Sequence, residues 1–146
     1  MSKTYTRILL TVAMVVASLL SVRTMHAQDF KVIVNSANAT ASLSASDASK
    51  IFLKESAKFP GGVAATPVDL GKASPARAAF SKAVIGRSVG AIEIYWQQQI
   101  FSGKEVPPST KSSDDDMVAF VKSNPSAIGY VSGGASTAGV KVVDVK

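Results

Sequence analysis

Alternation of apolar and polar positions predicts strands near both ends of the chain. The stretch FKVIVNS, residues 30–36, carries β-branched residues in the alternating order of a half-buried strand. AIGYVSGG and VKVVDV, near the other end, are also strand-like and flank a Gly/Ser-rich turn. The short run TPVDL predicts a further strand in the first half of the chain. The pattern therefore predicts four strands.

Apolar residues at three- and four-residue steps predict helices between these strands. The first helix has Ser44 or Ser46 available as its N-cap, and a loop with Pro60 and two glycines ends this unit. The second begins at Ser74 and stops at Gly86. The predicted buried faces are Leu43, Ala48, Ile51 and Phe52 in the first helix and Ala76, Ala79, Phe80, Ala83 and Val84 in the second.

A third helix is predicted over residues 88–101, with Gly103 as its stop. The stretch GKEVPPSTKSS after it is predicted to be a proline-containing loop. Trp96 and Tyr95 could form a platform for stacking a sugar, but Trp96 lies on the apolar stripe of the helix, which favours a core anchor. Tyr95 lies off that stripe and stays undecided. The stripe is Val89, Ile92, Trp96 and Ile100.

A fourth helix begins after Ser112 or Ser113 and carries three successive aspartates, residues 114–116, in its first turn. Successive helical positions point about 100° apart, so three neighbouring carboxylates do not converge on one cation. The helix dipole favours negative charge at this end, and a solvated helix start is therefore the preferred interpretation. No metal site is expected here.

The element order β-α-β-α-α-α-β-β predicts an α/β fold, with a small mixed sheet flanked by helices. Residues 28–146, 119 in all, suffice for one compact domain and are too few for two. No internal repeat is visible. The predicted organisation is thus a single lobe over residues 28–146.

Residues 1–27 have the layout of a secretory signal peptide. Lys3 and Arg7 precede an almost wholly apolar run over residues 8–22, and Ala27 follows shortly afterwards. Cleavage is predicted after Ala27, so that the mature chain begins at Gln28 or Asp29, and an uncleaved N-terminal anchor is the alternative. The predicted signal peptide, on a chain without cysteine, favours export to a bacterial periplasm.

The composition beyond this segment excludes several classes of function. Thirteen basic residues remain there against 10 acidic ones, and they are scattered, which argues against nucleic acid as a partner. His26, the single histidine, lies in the predicted signal peptide, so Cys/His zinc sites and Ser-His triads have no residues to form them. Nothing brings Glu93 and Glu105 together as a carboxylate pair. We therefore expect no enzyme activity and no cofactor.

The stretch VDLGKASPARAAF is the candidate binding site. A helix N-terminus exposes backbone N–H groups and partial positive charge, so Ser74 and the amides of Ala76 and Arg77 offer the donors that an oxyanion needs. Lys72 and Arg77 would add positive charge. The alternative is a plain helix start, with Ser74 as N-cap and Pro75 at the first helical position, that binds nothing.

Several stretches together resemble a known family. They are VIVNSANATASLSASDASKIFLKESAKFPGG, then TPVDLGKASPARAAFSKAVIG, then FVKSNPSAIGYVS, and finally VKVVDV. In this order they resemble the second lobe of the periplasmic phosphate-binding protein of the phosphate ABC transporter, over essentially all of residues 28–146. The resemblance implies a type II solute-binding fold that holds inorganic phosphate or a similar oxyanion in a cleft between two lobes, without covalent chemistry.

The chain departs from that family where the oxyanion would bind. The family has an arginine after the strand and a DGSGT turn at the helix start. Only the serine is retained; the arginine falls on Leu70, the aspartate on Lys72, the first glycine on Ala73, and the SGT on Ser74, Pro75 and Ala76. The guanidinium fork, one hydroxyl and one backbone N–H are therefore lost.

Two functions remain open on the sequence. The first is an exported, non-enzymatic solute-binding-like domain with weak oxyanion binding at Lys72, Ser74, Ala76 and Arg77. The second is a protein-interaction or assembly module that keeps the fold and has lost the ligand. A clamshell needs a partner lobe, so a second copy or another periplasmic protein would have to complete the cleft.

Overall fold

The computed structural model describes residues 29–146; the predicted signal peptide and its cleavage site lie outside the described residues. The strands of this part are β1 (Phe30–Asn35), β2 (Ser42–Leu43), β3 (Thr66–Leu70), β4 (Ser109–Lys111), β5 (Ala127–Ser132) and β6 (Val140–Val145). Its α-helices are α1 (Ala45–Phe52), α2 (Pro75–Phe80), α3 (Val89–Phe101) and α4 (Asp114–Ser123). A π-helical turn, Ser81–Ile85, continues α2.

The strands form one six-stranded mixed sheet in the order β2-β6-β1-β5-β3-β4. β1 is antiparallel to β5 and β6, whereas β3 is parallel to both β5 and β4. The carboxyl ends of these three parallel strands therefore lie at one edge of the sheet, where α2 follows β3 and α4 follows β4. Crevices at such edges are the usual ligand sites of open α/β sheets.

The predicted α/β class is confirmed, with two strands added. The sequence predicts Leu43 of β2 on a helix face and places the residues of β4 in a proline-containing loop. Leu43 is buried in β2 and pairs with Val145 instead of lying on α1. Both added strands are edge strands of two and three residues, too short to show alternation in the sequence.

Serine side chains begin all four described α-helices. Ser44, Ser74, Ser88 and Ser113 each accept a hydrogen bond from the backbone N–H three residues later. The second helix ends at Gly86, as predicted, and the left-handed φ of 73° at this residue explains the choice of glycine.

The core is organised around four aromatic rings. Phe80 stacks on Tyr130 with ring centroids 4.0 Å apart, and Phe52 and Phe30 pack against Phe80 at 4.6 and 5.5 Å. All four rings are buried. Since the core cluster of the described residues lies between Phe30 and Val143, a chain that begins at Gln28 contains all of this cluster.

Helix α3 is attached to the core less deeply than its sequence predicts. Ile92 and Trp96 are buried, which confirms Trp96 as an anchor, but Ile100 is 54% exposed. The side of the helix that faces the protein carries Ile92, Trp96 and the half-buried Gln99. Ile100 therefore lies at the edge of this side and is open to solvent. The Tyr95 hydroxyl donates to the backbone oxygen of Leu53 at 3.1 Å. Within residues 29–146, no helix has the length and apolar character to cross a membrane.

The buried stripe of α2 is also rotated from the predicted one. Ala76, Phe80 and Val84 are buried as predicted, whereas Ala83 is exposed and Ala79 is half-buried. Their places are taken by Arg77 and Ser81, both buried. A charged residue therefore lies inside the protein next to the candidate site.

Candidate functional site

The start of α2 uses much of its own hydrogen-bonding capacity. The Ser74 hydroxyl accepts from the backbone N–H of Arg77 at 3.4 Å, and the Ser74 carbonyl accepts from Ala78 at 3.2 Å. Pro75 has no N–H to offer. The amide of Ala76 makes no hydrogen bond to the described residues, but Ala76 is only 2% exposed. Few donors are thus left for a ligand at this helix start.

Arg77 points into the protein, where a backbone oxygen and a carboxylate of β3 bind its guanidinium. Its Nη1 donates to the backbone oxygen of Leu70 at 2.7 Å, and its Nη2 lies 3.3 Å from Oδ2 of Asp69. The Tyr130 hydroxyl donates to the other carboxylate oxygen of Asp69, which the Leu70 amide also approaches at 3.1 Å. Among the described residues, Nε of Arg77 has no partner. The guanidinium is therefore neutralised before any ligand arrives.

Burial determines the ionisation of this cluster. Burial raises the pKa of Asp69 above its ordinary value of 3.8, although the Tyr130 hydroxyl, Arg77 and the Leu70 amide all act in the opposite direction. The pKa of Tyr130 is raised by its own burial and by the nearby Asp69 carboxylate. Tyr130 thus stays protonated and remains a donor to Asp69.

A pH dependence of stability follows from the raised pKa of Asp69. Above pH 3.8 the unfolded chain releases this proton while the folded chain still keeps it, so the contribution of Asp69 to stability falls as the pH rises towards its folded pKa. We expect the difference in unfolding free energy between the wild type and Asp69→Asn to shrink over this range and then level off. Urea unfolding of both proteins from about pH 4 to about pH 8 measures it. A difference that grows with pH would contradict the assignment.

Lys72 is the exposed cation of the candidate site. Its side chain is 76% exposed, and its Nζ lies 3.8 Å from Oε1 of Glu93 on α3. An exposed pair at this distance contributes little to stability and leaves the ammonium free to move. Lys72 could therefore approach a ligand, but the nearby Glu93 carboxylate would repel an anion.

A cavity of about 340 Å³ lies between the end of β3, α3 and the segment before β4. Its charged lining residues are two cations and two carboxylates, and the remaining lining is largely apolar. It is lined by Asp69, Lys72, Arg77, Glu93, Trp96, Gln97, Ile100, Pro107, Pro108 and Thr110. Because the charges balance, the cavity has no strong net attraction for a free anion.

The predicted site residues divide into two groups. Lys72 and Arg77 meet at this cavity, whereas Ser74 and Ala76 are not among its lining residues. Sequence reasoning missed Asp69 and Glu93, which pair with the two cations. A signal for Asp69 exists, since a carboxylate inside the apolar strand TPVDL requires a buried partner. Glu93 gives no such signal.

No protein-family model matches the chain, and no curated protein matches its sequence. Solved structures do match its fold. A protein of Clostridium perfringens described as a phosphate ABC transporter substrate-binding protein with bound phosphate aligns with a TM-score of 0.63 at 17% identity, over 80% of this chain and 44% of that one. An ABC-type phosphate transport receptor from Vibrio cholerae aligns with a TM-score of 0.62 at 18% identity, over 80% and 46%. PstS from Borrelia burgdorferi aligns with 0.61 at 11% identity, over 81% and 47%.

This chain spans less than half the length of each of these structures. At such low identity the likeness concerns the fold alone. It agrees with the family resemblance of the sequence and with the α/β class of the sheet. The described part of the chain therefore has the fold of about half of a phosphate ABC transporter substrate-binding protein, consistent with a single lobe.

Proposed function

We propose that the chain is an exported, non-enzymatic domain with a solute-binding-like fold that works as a protein-interaction module. The observation that carries this proposal is the outward face of α3, which consists of Gly90, Ala91, Ile94, Gln97, Gln98 and Phe101. All six are exposed and none is charged. An uncharged helix face that exposes large apolar side chains to solvent is typical of an interaction site.

The large apolar side chains on and beside this face are more than half exposed to solvent. Phe101 is 96% exposed, Ile94 57% and Ile100 54%, and Val106 follows in the adjoining loop at 57%. Helix α3 thus carries large apolar side chains on the side that faces solvent as well as on the side that faces the protein. Apolar side chains grouped on a surface in this way are typical of a binding site for another molecule. A partner would supply the missing cover.

The closed candidate site supports the same proposal. Capture of an oxyanion needs free positive charge and unused donors at the helix start. Here Asp69 neutralises Arg77, Glu93 accompanies Lys72, and Ser74 caps its own helix. The fold is kept while the strongest determinants of anion capture are occupied internally.

Site-specific photocrosslinking in the native host tests the interaction. A photoreactive amino acid at position 94, 98 or 101 should give a discrete adduct, because these positions share the outward face of α3. The same residue at Ser136, exposed in the turn before β6, is the matched control and should give none. No adduct at any of the three positions, or equal adducts at all four, would refute the proposal.

Weak oxyanion binding at Lys72, Ser74, Ala76 and Arg77 is the second candidate function. It is favoured by the cavity that Lys72 and Arg77 share, where Nε of Arg77 has no partner among the described residues. The fold likeness to a structure with bound phosphate agrees with it. The nearby carboxylates and the loss of two or three charged hydrogen bonds, each worth ~1.5–3 kcal/mol, limit the affinity to about the millimolar range.

Calorimetric titration with phosphate and with sulfate tests this second function. We expect heat that saturates at about millimolar anion, is weakened about tenfold by Lys72→Ala, and is unchanged by Lys82→Ala, an exposed lysine outside the cavity. Ser74→Ala should weaken binding if the hydroxyl contacts the anion. Absence of heat in the wild type at these concentrations eliminates oxyanion binding and leaves the interaction module unaffected.

A further inference from the structure

We infer that the partner of the outward face of α3 is a second copy of this chain, an inference that rests on the proposed interaction function. The face is uncharged over its whole length. A two-fold interface sets the same surface of both copies against each other, so a face with a net charge would repel its own copy. An uncharged face avoids this repulsion and also offers a charged partner nothing to recognise.

The spacing of the residues fits a two-fold axis. Gln97 and Gln98 lie at the middle of the face, and Ile94 and Phe101 lie one on each side of them. At 1.5 Å per residue, Ile94 and Phe101 are separated by about 10 Å along the helix axis. When two copies of α3 cross antiparallel at the glutamines, Ile94 of each copy meets Phe101 of the other. The glutamine amides, which both donate and accept, can pair with each other at the axis.

The available area fits a weak dimer. A phenylalanine side chain can bury roughly 150 to 200 Å², and Phe101 is almost fully exposed. Together with Ile94, Ile100 and Val106 the face offers several hundred Å² per copy, below the ~800 Å² per partner of a standard stable interface. We therefore expect dimerisation with a Kd in the micromolar range.

The second copy would also lie at the cavity described above. Gln97 belongs both to the outward face of α3 and to the lining of the cavity, and the half-exposed Ile100 lines the cavity beside Phe101. A copy docked on Ile94 and Phe101 would therefore adjoin the edge of the cavity at Gln97.

Sedimentation equilibrium on the chain beginning at Gln28 tests the inference. The wild type should change from monomer to dimer as its concentration rises through the micromolar range. Ile94→Lys and Phe101→Glu should each stay monomeric, since each places a charge against an apolar residue of the other copy. Both positions are exposed, so unchanged thermal unfolding at low concentration verifies that the variants are folded. Val63→Glu, which charges a 55% exposed valine of another loop, should dimerise like the wild type.

Mixing the two charged variants tests the geometry. In a mixed dimer the ammonium introduced at position 94 meets the carboxylate introduced at position 101, while the second contact keeps its native Ile94 and Phe101. We expect the mixture to form heterodimers although neither variant associates alone. General stickiness of the face would not produce this rescue.

Three results would overturn the inference. The first is a wild type that remains monomeric at several hundred micromolar, and the second is a dimer that neither charged variant weakens. The third is a photocrosslinked adduct from α3 that contains only a different protein. The third result would contradict the second copy as partner but would leave the proposed interaction function intact. Absence of both a dimer and an adduct would contradict both proposals.

Discussion

Asp69→Asn should lower the free energy of unfolding at neutral pH by about 1–3 kcal/mol, because the donors of the buried Arg77 lose the carboxylate oxygen that accepts from them. Asp69 is 9% exposed and Arg77 7%, so little water can reach the broken pair. The asparagine oxygen could still accept from Tyr130 and from the Leu70 amide. Its NH₂ group, however, would face the donors of Arg77. Urea unfolding at neutral pH measures the loss.

A double-mutant cycle separates the ion pair from other effects of the substitution. Arg77→Met removes the guanidinium and keeps an apolar chain of similar length. If the pair is coupled, the double variant should lose less stability than the two single losses added together, by about 1–3 kcal/mol. Strict additivity, or a cost of Asp69→Asn below about 1 kcal/mol, would mean that the ion pair is not what holds Arg77 inside.

The sequence predicts well those elements whose signal is local. The serine caps of α1, α2 and α4, the stop at Gly86 and the strands around FKVIVNS and AIGYVS all follow from short-range rules and are present. Strand β4 was not predicted, because its three residues, STK, are polar and follow two prolines. Its strand character comes from pairing with β3, which is a long-range contact. Such a strand cannot be read from hydrophobic alternation.

The candidate site shows the same division between local and long-range information. The position of Ser74 as N-cap was predictable, because capping depends on the next three residues. The direction of Arg77 was not, because it depends on how the turn over residues 71–74 sets α2 against the end of β3, where Asp69 and Leu70 lie. An arginine in the first turn of a helix can equally point to solvent. Burial of this one side chain changes the helix start from an open cation site to a neutral one.

The outward face of α3 illustrates a different limit. The stripe of Ile92 and Trp96 was correctly predicted to face inward. Ile94 and Phe101 give the opposite side an apolar character too, and periodicity alone cannot say which side finds cover within the chain. The structure distinguishes them through exposure, and this difference is the basis of the proposed interaction.

Phe80→Ala should be the most destabilising single truncation in the aromatic core, with a loss of about 3–5 kcal/mol. Phe80 is 1% exposed and contacts Tyr130, Phe52 and Phe30. It lies at the junction of α2 and the π-helical turn, so its removal leaves a cavity beneath both segments. Chemical denaturation of the chain beginning at Gln28 provides the measurement.

Phe101→Ala is the matched control, because it makes the same chemical change at a position that is 96% exposed. At concentrations below those of dimerisation it should change the unfolding free energy by no more than about 0.5 kcal/mol. At high concentration the same substitution should lower the apparent stability, since it weakens a complex that only folded chains can form. Equal losses for the two substitutions at low concentration would show that α3 is tied to the core more tightly than its exposure indicates. The contrast between the two phenylalanines thus tests the core and the outward face with one pair of variants.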